Sequence, residues 1–443
     1  MTRALALVDG EHYPPTTRWA LATATAEGFE VVACLFVGGS EKIAAGALPD
    51  LGVPVEPLDD LVEGIRAAIG RHRPDVILDL SDEPVLGYRE RAKVAGAALA
   101  AGVRYRAPDT TFEPPIQGPP MRSPTLAVIG TGKRTGKTAV AGAAARAAKG
   151  AGMDPVIVAM GRGGPPEPQV VEAGTVGLHE LRELVRSGAH AASDYLEDAL
   201  FTGVTTIGAR RAAGGYAGRP YVSNVREAAR IADARDPGLL LLEGSGSAVP
   251  PVPWDAGILV CPAGVPPEYV GGYLGPYRVL LSDLIVVTMG TSPDDGPHDL
   301  SELVSHVRGL RPDARISVTD FRPVPQEEVR GKTVYFTTTA PPEARARLTS
   351  ALEQRHGCTV AGISHHLSDR GALARDLDDA PRYDVLLTEL KAAAIDVAAE
   401  RAIERGADVV FVDNRPETVG GDGDVDDLLL QTAQLAVARA KDR

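Results

Sequence analysis

At 443 residues the chain is too long for one hydrophobic core, and length alone points to about three domains. Apolar residues supply 44% and charged residues 24%, a globular composition. The formal charge of −13 argues against a general nucleic-acid or membrane-surface binder, so basic groups that meet an anionic ligand must be concentrated in one place.

From the N-terminus, strand-like runs alternate with helical stretches. Ala4–Val8, Glu30–Phe36 and Val76–Leu80 read as short buried strands, with helices over Thr16–Glu27, Leu61–Arg71 and Tyr88–Ala101 between them. Residues 113–124 hold five prolines and one glycine, the composition of a linker. A second unit opens with strand Thr125–Ile129, a Gly-rich loop, an Ala-rich helix Thr138–Lys149 and strand Pro155–Ala159. Further strands are expected at Gly238–Leu242, Ala256–Val260, Leu284–Thr288 and Ile316–Phe321, and Pro323 and Pro325 mark the next boundary. A third unit follows, with strands at Thr333–Thr337, Val360–Ser364, Asp384–Thr388 and Asp408–Asp413. Its helices are expected at Pro342–His356, Lys391–Arg405 and Asp426–Lys441. The expected class is α/β: three-layer domains with mostly parallel sheets, spanning 1–120 (Rossmann-like), 121–328 (a P-loop nucleotide-binding domain) and 329–443.

Gly130-Thr131-Gly132-Lys133-Arg134-Thr135-Gly136-Lys137-Thr138 carries the strongest chemistry. A loop between strand and helix presents successive backbone N–H groups to an anion, helped by the helix N-terminus, and its glycines let phosphate come close. All nine residues are nucleotide-binding candidates. Lys137 is placed on the β- and γ-phosphates, Lys133 beside it, and the Thr138 hydroxyl on Mg²⁺. Thr131 stands where the strict pattern wants glycine, so the loop is one residue longer, as in dethiobiotin synthetase. Glu243, at the end of the run Leu239-Leu240-Leu241-Leu242 and before Gly244-Ser245-Gly246, is a second metal-ligating and catalytic candidate.

Three Gly-flanked or paired arginines follow. Arg162 lies in Met160-Gly161-Arg162-Gly163-Gly164, and Arg210 and Arg211 in Thr206-Ile207-Gly208-Ala209-Arg210-Arg211. With Arg162 also a catalytic candidate, they suit bidentate contact with phosphate or carboxylate. His190, Ser193 and Asp194 form a further polar segment. In the N-terminal unit Asp9, Glu11 and His12 follow the first strand, at the sheet edge where ligands bind. All are candidates for the substrate site.

Cys34, Cys261 and Cys358 are widely spaced with no CxxC pair, which argues against a disulfide framework or a thiolate zinc site. The first residues reach Asp9 too soon for a secretory signal, and no apolar run approaches the roughly 18 residues that span a bilayer. The expected compartment is the cytoplasm, with neither membrane nor nucleic acid as partner.

Taken together, D-G-E-H-Y, V-G-G-x-E-K, M-G-R-G-G-P, H-A-A-S-D-Y and T-I-G-x-R-R around this loop resemble the cyclic 2,3-diphosphoglycerate synthetases. Thr388-Glu389-Leu390-Lys391-Ala392-Ala393-Ala394-Ile395-Asp396 and Val412-Asp413-Asn414-Arg415-Pro416 extend the resemblance toward the C-terminus. The resemblance implies a ligase that uses ATP and Mg²⁺, is stimulated by K⁺, and works as a homodimer. It would close 2,3-diphosphoglycerate into its cyclic form with release of ADP and phosphate. Two other readings stay open from the residues: a P-loop ligase of the dethiobiotin synthetase type acting on an anionic carboxylate or phosphate, and a nucleotide switch or metallochaperone.

Overall fold

In the computed structural model, which describes residues 1–443 except 44–46, 117, 189–190 and 292–297, the α/β expectation holds. The first sheet has six strands in the order Val55–Pro57, Phe29–Phe36, Thr2–Val8, Val76–Asp79, Arg104–Ala107 and Thr110–Phe112. All neighbours are parallel except the last pair. Helix Tyr88–Ala100 leaves this sheet and packs on the short helix Gly275–Leu280. A Cβ on Gly96 would stand 2.8 Å from the Tyr277 nitrogen, so glycine lets the two backbones touch.

The second sheet is continuous through the rest of the molecule, with thirteen strands. At its centre lie Pro155–Gly161, Leu239–Glu243, Thr125–Gly130, Ala256–Pro262 and Leu284–Thr288, in that spatial order and all parallel. Covered on both faces, these strands are near-continuous apolar runs rather than alternating ones, and Leu239, Leu240, Leu241 and Leu242 are all fully buried. The parallel register sets Glu243 opposite Val128, so the acid leaves the sheet at the edge where the Gly130 loop begins.

Pro323 and Pro325 do not end the strand. It runs Arg315–Pro325 and pairs antiparallel with a fourteen-residue strand, Asp408–Gly421. Its parallel neighbour stops at Thr288, opposite Thr319, so the prolines lie beyond that pairing, where a missing N–H costs no ladder bond. The long strand then passes to Val385–Thr388, Thr333–Thr337 and Thr359–Ser364. The final helix, Val425–Lys441, is capped by the Asp424 carboxylate on the Asp426 and Asp427 nitrogens, with Arg439 and Lys441 in its last turn. It returns across the sheet, and its Leu428, Leu429, Ala433 and Ala436 share a core with the phosphate-loop helix Lys137–Gly150. Arg146 of that helix meets Asp413 at 3.0 Å.

The expected helix over Lys391–Arg405 is instead a wide π-turn at Ala394–Ala399 followed by a short α-helix, Glu400–Glu404. The chain crosses positive φ at Ala392 just before it, so the helix starts late.

Gly421, at φ +101°, ends the long pairing with its α-carbon facing the Ile316 carbonyl, where a Cβ would stand 2.5 Å from that oxygen. Gly421→Ala is therefore expected to lower the thermal midpoint by several degrees, on the order of 1–3 kcal/mol, in a calorimetric scan.

Candidate nucleotide and phosphoryl-transfer site

The loop after Thr125–Gly130 closes on the N-terminus of helix Lys137–Gly150. Gly136 sits at φ +89° against the Phe321 ring, and a Cβ there would stand 2.2 Å from the ring edge. A Cβ on Gly130 would meet the Lys137 side chain and the Thr135 hydroxyl at 2.9 Å. These two glycines let the loop wrap on itself. Lys133 and Arg134 are exposed at its tip, with Arg134 at φ 59°. Thr135 is buried, and its carbonyl accepts from the Thr288 hydroxyl at 2.8 Å, which ties the loop to the neighbouring strand.

Lys137 is 7% exposed and donates to the Gly132 carbonyl at 2.8 Å and the Thr135 hydroxyl at 3.2 Å. Burial pulls its pKa down to about 8, against the upward pull of Glu243 and Asp194. The Thr138 hydroxyl donates to Glu243 Oε1 at 2.8 Å. Glu243 is 2% exposed, and burial, then the Asp194 charge, push its carboxyl up to about 7. Its other oxygen faces Asp198, whose carboxyl is also buried and held well above the usual range, by burial first and the Glu243 charge second. Among the described residues no fixed donor reaches Glu243 Oε2 or either Asp198 oxygen, so two acids this close need a proton or a cation between them.

These features fit a nucleotide with a divalent cation. The Thr131 hydroxyl is buried without a hydrogen-bond partner among the described residues, and Thr138 with Glu243 offers hard oxygen ligands beside the loop. Beyond the neighbouring strand, Gly290, Thr291, His298, Leu300, Val318, Val419 and Gly420 line a cavity of about 400 Å³.

Of the arginines, Arg162 and Arg211 act electrostatically on Lys137, and so lie toward the loop. Arg211 donates to the Ser245 carbonyl at 2.8 Å, on the segment just after Glu243. Burial first, then the Arg162 charge, lower its pKa. Arg210, its neighbour on strand Thr206–Ala212, braces the preceding turn instead: Nε donates to the Gly164 carbonyl at 2.9 Å. Successive strand residues point to opposite faces, so the pair divides its work. Ser193 and Asp194 start helix Asp194–Thr202, with Asp194 near Lys137 and Glu243; His190 lies outside the described residues.

No hydrogen bond among the described residues joins Asp9, Glu11 or His12 to the loop. Asp9 Oδ1 accepts from the Glu11 and His12 backbone nitrogens and from His12 Nδ1, within its own turn, and Oδ2 accepts from the Asp82 nitrogen, which ties that turn to the one after strand Val76–Asp79. The hydrogen bonds of Glu11 and His12, among the described residues, also stay within the N-terminal sheet. Sequence reading missed Asp198, which looks like an ordinary helical acid. Only its place four residues after Asp194 could have signalled it.

Three family models cover this chain. They are the N-terminal domain over residues 3–113, the P-loop domain over 125–320 and the C-terminal domain over 325–415 of cyclic 2,3-diphosphoglycerate synthetase. The chain belongs to the cyclic 2,3-diphosphoglycerate synthetase family. A Rubrobacter xylanophilus protein of that name is 48% identical over 100% of this chain and 98% of its own length. A Methanothermobacter thermautotrophicus protein of the same name is 40% identical over 98% and 96%. Among solved structures, LpxK from Aquifex aeolicus in complex with ATP aligns over 72% of this chain and 90% of its own, at 13% identity and a TM-score of 0.38.

Lys137→Met should abolish MgATP binding in calorimetry and yet raise the midpoint of the nucleotide-free protein, by on the order of 1–2 kcal/mol, because the buried ammonium costs more than its two hydrogen bonds return. The folded pKa of about 8 lies below the ordinary lysine value of 10.5. The cost is thus fully present below pH 8, and the gap between variant and wild type should close as pH rises from 8 toward 10.5.

Proposed function

We propose that this chain uses ATP to close 2,3-diphosphoglycerate into a cyclic pyrophosphate. The observation that carries the reading is the combination of the phosphate loop and Glu243 with Arg162 and Arg211, placed in a chain whose relatives bear that name over their full length. An oxygen of one substrate phosphate attacks the γ-phosphorus of ATP, and ADP leaves. The second substrate phosphate then attacks the first, and inorganic phosphate leaves with the bridging oxygen. The ring forms within one molecule, so no protein nucleophile is required, and catalysis rests on positioning and charge neutralisation.

In this reading the backbone of 130–138 cradles the ATP phosphates and Lys137 neutralises charge as the γ-phosphoryl departs. Lys133, exposed at the loop tip, and Arg162 face the incoming acceptor. The acceptor carries about −4 to −5 from two phosphates and a carboxylate, and Arg211 holds one anionic group. Arg210 keeps the Gly161–Gly164 turn in place beneath Arg162. Thr138 and Glu243 would hold Mg²⁺, which supplies charge neutralisation at the β- and γ-phosphates when bound. Asp194 and Ser193 border this pocket. Asp9, Glu11, His12 and His190, together with K⁺ and a homodimer, enter the reading through the family resemblance. No helix among the described residues is long and apolar enough to cross a membrane, and a cytoplasmic setting is part of the same reading.

Phosphorus NMR of the chain with ATP, Mg²⁺ and 2,3-diphosphoglycerate should show a cyclic pyrophosphate appearing in step with ADP; no such signal while ATP remains would refute the reading. Arg211→Ala should cut kcat/KM for the acceptor roughly 10- to 100-fold while leaving the ATP dissociation constant near wild type.

A further inference from the structure

The segment Thr388-Glu389-Leu390-Lys391 lies outside the P-loop part of the chain and has no part in the scheme above. Strand Val385–Thr388 ends at Glu389, which is 4% exposed. Its carboxylate accepts from the Thr338 hydroxyl, the Thr339 nitrogen and hydroxyl, and the Asn414 amide, at 2.8–3.0 Å. Leu390 is 1% exposed and packs in the same core as the phosphate-loop helix. The turn is therefore fixed from both sides, and it aims Lys391 at helix Asp194–Thr202.

Lys391 Nζ stands 3.7 Å from Glu197 Oε1, an ion pair longer than a hydrogen bond. Its side chain keeps 40% of its surface open, whereas that of Glu197 keeps 15%. Glu197 lies one helical turn from Asp194 and feels the charges of Asp194 and Glu243. Lys391 thus reaches, from the C-terminal part of the sheet, the helix whose first turn carries Asp194, the acid that acts on both Lys137 and Glu243. The Glu197 charge foremost, then those of Glu389 and Asp194, hold its pKa up against burial, so it is an ammonium across the physiological range. Burial foremost pushes the Glu197 carboxyl up, to about 8, with the Lys391 charge pulling against it and the Asp194, Glu243 and Glu389 charges adding to it.

A half-open pair at this distance contributes little to stability, about 0–1 kcal/mol. It adds little to a turn already fixed by four hydrogen bonds and a buried leucine. Among the described residues this ammonium, with three donors, has that one distant side-chain partner, and beside a helix that packs on the phosphate-loop helix it suits a transient anion.

We infer that Lys391 is a catalytic residue contributed by the C-terminal domain: it leaves Glu197 to bind a phosphate of the acceptor and helps neutralise charge during phosphoryl transfer. This rests on the reading of the acceptor as a bisphosphate.

The test compares wild type, Lys391→Met, Lys391→Arg and the exchange Lys391→Glu with Glu197→Lys, each checked for a melting temperature near wild type. Acceptor and ATP kinetics are read by ADP release, and the product by phosphorus NMR. Lys391→Met should lower kcat/KM for 2,3-diphosphoglycerate at least about 30-fold with the KM for ATP within about twofold. Lys391→Arg should recover part of that loss, and the charge exchange should recover none. Acetylation of Lys391 by acetic anhydride, read by mass spectrometry, should be blocked by 2,3-diphosphoglycerate with MgADP but not by MgADP alone. Recovery by the charge exchange would make the pair a staple between domains and overturn the inference. A wild type that cyclises beside an unimpaired Lys391→Met, or a Lys391 left unprotected, overturns it alone. A wild type that forms no cyclic product overturns the functional reading and this inference with it.

Discussion

Lys137 and Glu243 are taken out of water together at the carboxyl ends of two neighbouring parallel strands, with Thr138 hydrogen-bonded between loop and acid. Neither charge is comfortable there. Burial draws the lysine toward its neutral form and the glutamate toward its protonated form. The site is thus built at a cost to the nucleotide-free fold, and polyphosphate with a divalent cation would restore both charges. Asp198 extends the same logic, since its buried carboxyl is tolerable only with a proton or a cation between it and Glu243.

Such a pocket needs a rigid frame, and the frame comes from the whole second sheet. The Phe321 ring that closes on Gly136 belongs to the strand that pairs with Asp408–Gly421, so the phosphate loop leans directly on the junction with the C-terminal strands. The last helix and the Arg146–Asp413 contact reinforce that junction from the other side. A C-terminal part joined this closely is well placed to supply a side chain to the chemistry, whereas the N-terminal sheet meets the rest through a helix-on-helix contact at Gly96.

Much of this was legible in the sequence, for identifiable reasons. Leu239–Leu242 announces a central strand because both of its faces are covered, and Gly130–Thr138 announces its loop because glycine is needed where the backbone must meet phosphate. The continuity of the sheet through Pro323 and Pro325 was hidden, because proline signals a break unless the strand has outrun its neighbour, and that depends on tertiary pairing. The division between Arg210 and Arg211 follows from strand alternation, but only once Thr206–Ala212 is known to be a strand rather than a polar loop.

The central claim is that the γ-phosphoryl group passes through the acceptor before leaving as phosphate. The most direct measurement uses 2,3-diphosphoglycerate with its phosphate oxygens labelled by ¹⁸O, and reads the released inorganic phosphate by mass spectrometry. Attack by a substrate phosphate on ATP, then loss of the bridging oxygen on ring closure, predicts one ¹⁸O in each phosphate released. Phosphate carrying no label from the acceptor would mean that water, not the bisphosphate, receives the γ-phosphoryl group, and would contradict the account.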